Sequence, residues 1–286
     1  MASQSGAASL APERERLFGE RLLLIAILIA ALALCAPAAW GLSYLLEMVE
    51  FYAHGYLVPF VAGYLGWQRR DEIRAALRDL RPPPLGFLVV LAVGSGEALA
   101  VIGDMGFVAG VGIPVVLGAA LWATGGARLL RPCLLPLAFL ALMIPPPGFV
   151  LEDLLVASKE MVTRVPVAIL HALGESVFAD GNRIEVPGQT LFVADACSGL
   201  TSIVSLLPVA CVVAYFLTSG LLRGLLVVVS VVPLAVAANV LRVVVTVKLV
   251  TAIGPQMAQG WLHDSFGLLT YAVGTAVLVL FARWLR

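Results

Sequence analysis

The residue of this chain best suited to chemistry is Cys197, which lies where a polar segment gives way to an apolar one. Asp195 and Ser198 flank it at the same boundary. A thiol in this position can ionise near water and still meet a substrate held in a membrane, and the thiolate is the nucleophilic form of cysteine. The other three cysteines fall inside or at the edge of apolar runs and are expected to be inert: Cys35, Cys133 and Cys211.

Other polar groups stand out against apolar surroundings. Arg242 lies within a long apolar run, ~12 Å from its end at 1.5 Å per residue, where burying its charge costs at least ~2.5 kcal/mol. Asn239 comes one helical turn earlier and is expected on the same face. His263 precedes the last apolar run, and His54 follows the first one in an aromatic segment.

Composition defines the elements that must position these groups. The chain has 286 residues, of which 61% are hydrophobic and only 13% charged, whereas a soluble domain is close to half apolar. These values are typical of a polytopic membrane protein. A formal net charge of +0 does not favour nucleic-acid binding. Four cysteines without CxxC spacing argue against a zinc site or a thioredoxin-type pair, and no metal or cofactor is expected.

Apolar runs predict eight transmembrane helices, over residues 22–44, 55–68, 85–103, 106–123, 133–149, 197–218, 224–250 and 265–282. Residues 1–21 are polar and are predicted to be a cytoplasmic tail. The run that follows is too long for the apolar part of a signal peptide, so it is interpreted as the first span. Residues 22–286 are predicted to form one transmembrane domain, with a charged amphipathic helix over 69–84 that ends in prolines.

The segment over about 150–196 is predicted to be an extracytoplasmic insert. Its first half, to about Leu173, has helical periodicity with charged residues and predicts an amphipathic helix along the membrane surface. Turn signals at Asp180-Gly-Asn182 and Pro187-Gly188 then separate short apolar pieces. They predict a small β-hairpin that leads directly into Cys197.

Basic residues set the orientation, because lysine and arginine accumulate on the cytoplasmic side. Eight spans with both termini inside place 13 of the 18 basic residues there: Arg14, Arg16, Arg21, Arg69, Arg70, Arg74, Arg78, Arg81, Arg128, Arg131, Arg223, Arg283 and Arg286. In this topology Cys197, Arg242, His263 and His54 all lie toward the outer leaflet.

Each of these groups has two interpretations. Cys197 could be a small residue capping a helix, Arg242 a snorkelling or structurally paired cation, and the two histidines interfacial anchors. Taken together they fit acyl transfer. The cysteine attacks a peptide carbonyl, His263 acts as base and then acid, and Arg242 binds the oxyanion or the substrate backbone.

Five ordered blocks of the sequence resemble the exosortase/archaeosortase family, over about residues 45–275. They are His54-Gly-Tyr-Leu-Val-Pro59, Gly181-Asn182 through Pro187-Gly188, Asp195-Ala-Cys197-Ser-Gly-Leu200, Pro233-Leu-Ala-Val-Ala-Ala-Asn239-Val-Leu-Arg242 and His263-Asp264-Ser-Phe-Gly267. The resemblance implies that Cys197 is the nucleophile and that Arg242 and His263 are catalytic. Thr201 departs from the basic residue that many members carry at this position.

The resemblance also implies a membrane-embedded counterpart of sortase in a bacterial inner membrane. Such a protein cleaves C-terminal sorting signals, which combine a motif such as Pro-Glu-Pro, a transmembrane helix and a basic tail. It then transfers the exported protein to water, a lipid or a glycan, often alongside exopolysaccharide production. His54, Asn239 and Asp195 are the candidate substrate-binding residues.

Two other classes remain open at this point. A transporter or an assembly factor of polysaccharide export is expected to carry polar groups along a path through the mid-membrane, whereas most candidates here crowd one leaflet. Another intramembrane hydrolase would need a different motif. The chain has neither a Gly-x-Ser-x-Gly elbow nor a His-Glu-x-x-His pair, and the buried acid Glu97 has no evident second acid.

Overall fold

The fold is given by a computed structural model of the chain. It describes residues 5–181, 183–186, 189–192, 199–258 and 260–286. Within these ranges the chain forms nine α-helices: α1 (Ser5–Met48), α2 (Val58–Gln68), α3 (Arg70–Leu77), α4 (Gly86–Ile102), α5 (Gly106–Leu140), α6 (Gly148–Ala172), α7 (Leu200–Leu217), α8 (Leu221–Ile253) and α9 (Gly260–Trp284). Short 3-10 turns span Glu50–Tyr56, Ala141–Met143 and Pro255–Ala258.

Five stretches of the described chain are long and apolar enough to cross a membrane: Leu22–Met48, Gly106–Met143, Leu200–Leu217, Leu221–Ile253 and Ser265–Trp284. The sequence predicts eight. Helix α4 is apolar but has only 17 residues, and α2 has 11, whereas a straight crossing needs about 20. The third difference is in α5, where two predicted runs fall within one stretch.

Helix α5 is broken at Gly126, whose φ of 63° and ψ of −161° are not helical and favour glycine. A Cβ atom placed on Gly118 would lie 3.4 Å from Leu137 Cδ1. In a straight helix these two residues would be about 28 Å apart. The chain therefore folds back at Gly126, and the two arms of α5 correspond to the separate runs predicted over 106–123 and 133–149.

The chain divides into two compact units. The first unit comprises Met1–Val49 and Ala53–Pro145, and in it α1, α2, α3 and α4 pack on α5. A close approach between α4 and α5 depends on Gly112, because a Cβ there would overlap the carboxylate of Glu97. Glu97 is 3% exposed, and neither of its carboxylate oxygens has a hydrogen-bond partner in the described part of the chain.

The second unit comprises Glu50–Tyr52 and Pro146–Arg286. The helix predicted over about 150–173 is α6. Where the sequence predicts a two-stranded hairpin, the structure has an antiparallel sheet of three short strands, β1 (Phe178–Asp180), β2 (Arg183–Val186) and β3 (Gln189–Phe192). Strand β2 alternates exposed and buried residues, as expected for a strand with one face against a core.

Two apolar clusters stabilise this unit. In one, Ile184 and Val186 of β2 pack against Val162 of α6 and Val243 and Val247 of α8. This cluster attaches the sheet to the two helices. The other cluster joins α7, α8 and α9, with the following residues almost fully buried: Leu206, Ala210, Val227, Val231, Ala235, Leu278 and Ala282.

Candidate active site

Helix α8 carries two of the predicted site residues one turn apart. Asn239 is 3% exposed and Arg242 is half-buried, and their three-residue spacing places them on neighbouring parts of one helix face. Helix α8 extends to Ile253 rather than to about residue 250, so Arg242 lies about 16 Å from its end. That is deeper than the sequence predicts.

Asn239 contacts the start of α7. Gly199, the residue that precedes α7, has a φ of 82°, in the left-handed region that favours glycine. A Cβ atom on Gly199 would lie 3.6 Å from Asn239 Nδ2 and 3.5 Å from Val162 Cγ1 of α6. The residue two positions after Cys197 therefore sits between α6 and α8, directly beside the Asn239 side chain.

Arg242 contacts α9. A Cβ atom on Gly267 would lie 3.1 Å from Arg242 Nη2 and 3.2 Å from both Cζ and Nη1. These distances are tighter than an ordinary van der Waals contact, so the guanidinium occupies the space left by the absent side chain. In the helix numbering of α9, Gly267 comes one turn after position 263.

An ion pair also holds the sheet segment to α8. Lys248 Nζ of α8 pairs with Glu175 Oε1, which lies between α6 and β1. Glu175 is 27% exposed and Lys248 is 41% exposed at the side chain. Together with the apolar cluster that joins β2 to α6 and α8, this pair attaches the segment between α6 and the sheet to α8.

The predicted site residues therefore divide into three groups. Arg242 and Asn239 are described and share α8. Cys197 and Asp195 lie outside the described residues, and position 263 lies in α9 while the His263 side chain is outside them. His54 belongs to the first unit, in the 3-10 turn Glu50–Tyr56. Among the described residues, no group of three His, Cys, Asp or Glu side chains could hold a metal ion.

Sequence reasoning missed the residues that receive the two α8 side chains. Gly199 and Gly267 lie in the sequences Cys197-Ser-Gly199 and Ser-Phe-Gly267, where the sequence alone assigns them no function. A glycine close in sequence to a candidate reactive residue is the pattern that could have identified them, because glycine permits close approach of a neighbouring group. The Lys248–Glu175 pair has no such signal, because its partners are 73 residues apart.

Helices long and apolar enough to cross a membrane, one of which carries a half-buried arginine and a buried asparagine, define a polytopic α-helical membrane protein. The family model described as transmembrane exosortase (Exosortase_EpsH) matches residues 46–280. The chain belongs to this family, which makes it a membrane sortase-like protein. Comparisons with curated proteins and with solved structures gave no match.

Proposed function

We propose that this protein is a membrane-embedded cysteine transpeptidase or protease that cleaves C-terminal sorting signals of exported proteins. Cys197 is the nucleophile, His263 the general base and acid, and Arg242 the oxyanion-binding cation. The substrate ends in a short motif such as Pro-Glu-Pro, a transmembrane helix and a basic tail. The product is a surface or secreted protein made alongside exopolysaccharide.

The observation that supports this proposal most is the pair of contacts made by α8. Asn239 lies against Gly199, and Arg242 lies against Gly267. Covalent geometry keeps Cys197 within about 7 Å of Gly199 along the Cα trace. Position 263 is one turn, about 6 Å, before Gly267 in α9. The blocks that contain the proposed nucleophile and the proposed base thus both connect to one turn of α8.

In this mechanism His263 takes the thiol proton of Cys197, and the sulfur attacks the scissile carbonyl carbon. Arg242 stabilises the negative charge that develops on the carbonyl oxygen. Collapse of the tetrahedral intermediate breaks the C–N bond, His263 returns the proton to the leaving amine, and a thioester remains. A second nucleophile, which is water or a lipid or glycan group, then attacks the thioester and releases Cys197.

Substrate contacts are proposed for Asn239, Asp195 and His54. Asn239 is nine-tenths buried next to the start of α7, so its amide can bind a substrate main-chain group near the nucleophile. Asp195 precedes Cys197 by two residues and can bind a polar group of the sorting motif. Thr201, in place of a basic residue, sets a motif preference different from that of members with a cation there.

We propose eight spans with both termini in the cytoplasm of a bacterial inner membrane. The five long stretches become six when the two arms of α5 are counted separately, and α2 and α4 supply the other two. The charge asymmetry of the loops gives the orientation. Cys197 and position 263 then face the extracytoplasmic side.

The experiment that tests the proposal is co-expression with an exported reporter that carries a Pro-Glu-Pro motif, a transmembrane helix and a basic tail. The reporter's mass is measured in membranes and medium. We expect a shortened reporter only when the protein is present, and any added mass identifies the acceptor. Full-length reporter with every member of a series of tail motifs would overturn the proposal.

The contact between Arg242 and Gly267 gives a graded prediction. Gly267→Ala places a methyl group 3.1–3.2 Å from three guanidinium atoms, which must shift by a few tenths of an ångström. We expect reporter processing to fall several-fold, because small displacements of a catalytic group are costly, while the melting temperature stays near that of the wild type.

The matched control is Gly274→Ala, two turns further along the same face of α9. There the new Cβ would lie 3.6 Å from Leu206 Cδ1, an ordinary contact. Both substitutions raise helix propensity equally, so only the contact with Arg242 distinguishes them. Equal processing by the two variants would show that the Gly267 contact does not position Arg242.

Alkylation of Cys197 gives a further prediction. A thiol near a helix N-terminus and a cation ionises more readily than free cysteine, whose pKa is about 8.5. In a background with Cys35, Cys133 and Cys211 replaced by alanine, a membrane-impermeant maleimide added outside should react with a pH midpoint below that value. Arg242→Gln should raise the midpoint, and a midpoint like that of free cysteine in both proteins would argue against an activated thiolate.

A further inference from the structure

The first unit contains a groove that the proposed reaction does not use. Its volume is about 410 Å³, and it is lined by Leu24 and Ile25 of α1 with Arg74, Leu77 and Arg78 from α3 and its C-terminal end. The groove has an apolar wall and two arginines one helical turn apart. A wall and a charge pair of this kind suit an amphiphile better than a small soluble ion.

Helix α3 lies with its apolar face against the membrane-crossing helices. Ala76 is buried with Leu24 of α1 and Leu129 of α5, and Ile73 and Leu77 pack against the same cluster. The preceding residues carry an interfacial signature, since the Arg70 guanidinium stacks 5.2 Å from the ring centroid of Trp67, which is 60% exposed. Exposed tryptophans of this kind gather at the level of lipid headgroups.

The acidic residues near the groove do not neutralise Arg74 and Arg78. Asp79 is shared by Arg81 and Arg128, and the hydrogen bond from Arg81 holds the pKa of the Asp79 carboxyl below its ordinary value, so these pairs persist at neutral pH. Asp71 meets Arg74 at 3.4 Å, and both side chains are more than half exposed, which makes this pair weak. Arg78 makes no ion pair within the described part of the chain.

We infer that this groove binds one anionic phospholipid, with its phosphate between Arg74 and Arg78 and an acyl chain along Leu24, Ile25 and Leu77. Guanidinium groups bind phosphate oxygens through paired hydrogen bonds, and Arg74 exchanges its weak contact with Asp71 for the phosphate. The apolar wall selects a lipid over free phosphate. The inference is independent of the proposed reaction, because none of the residues that line the groove has a role in that reaction.

The test is native mass spectrometry of the purified full-length protein in detergent, with phosphatidylglycerol and phosphatidylcholine as probes. We expect the wild type to retain one phosphatidylglycerol after phosphatidylcholine has dissociated. Arg74→Gln with Arg78→Gln should weaken phosphatidylglycerol binding on the order of tenfold. Lys159→Gln with Arg164→Gln, which removes the same charge from α6 in the second unit, should leave it unchanged.

A third variant tests the contribution of the apolar wall to binding separately from that of the two arginines. Ile25→Gln keeps every charge but makes the apolar wall polar, and it should weaken phosphatidylglycerol binding several-fold. If the double arginine variant does not fold, Ile25→Gln still tests whether phosphatidylglycerol binds in the groove. Undiminished binding by the folded double variant, or by Ile25→Gln, would overturn the inference. Displacement of the lipid by millimolar inorganic phosphate would overturn it as well, in favour of a soluble anion.

Discussion

Replacing Cys197 by alanine is expected to leave a tailed reporter at full length, while the protein still inserts and accumulates in the membrane. In the proposed mechanism the sulfur of Cys197 forms the thioester, and an alanine side chain has no nucleophilic atom that could form it. Removing a covalent nucleophile typically lowers the rate by about 10⁴-fold or more. The measurement is the mass of the reporter from cells that produce equal amounts of wild-type and variant protein.

The matched control is Cys211→Ala, the same chemical change within α7. Cys211 is a half-buried free thiol in the middle of that helix, so its loss should leave processing near the wild-type rate. A shortened reporter with Cys197→Ala would contradict the assignment of Cys197 as the nucleophile and the thioester mechanism with it. Loss of processing in both variants would show that the α7 packing, rather than the thiol chemistry, had been disturbed.

The architecture could be predicted from the sequence where it depends on local patterns. Apolar runs and proline stops gave the positions of the helices, because these signals act within one or two turns. The two arms of α5 were predicted as separate runs over 106–123 and 133–149. The lengths of α2 and α4 were not, since a run of apolar residues does not reveal how many of them become helical.

In the site, too, features that depend on local sequence could be predicted, and contacts between distant segments could not. The one-turn spacing of Asn239 and Arg242 is a local property of α8, and their shared face could be predicted. Their partners could not, because the Gly199 and Gly267 contacts depend on how α7 and α9 pack against α8. The Lys248–Glu175 pair joins segments 73 residues apart, and spacing carries no information about contacts of that kind.

Replacing Arg242 by lysine is expected to lower reporter processing by roughly 10²–10³-fold, the usual cost of losing one oxyanion-binding donor. Lysine keeps the positive charge but not the planar fork of donors. Three guanidinium atoms, Cζ, Nη1 and Nη2, lie at nearly equal distances of 3.1–3.2 Å from the position of a Cβ on Gly267. The flat face of the guanidinium therefore packs against α9. A lysine ammonium has no counterpart to that surface, so it would be held less firmly.

The control is Arg223→Lys, near the opposite end of α8. Arg223 is exposed and donates hydrogen bonds to Ser219 and to the main-chain oxygen of Arg286, so a lysine there should process the reporter normally. The two variants make the same chemical change in one helix, and they differ in whether the lost fork contacts α9 beside position 263. Normal processing by Arg242→Lys would show that the positive charge alone suffices and that the planar fork of donors is not needed.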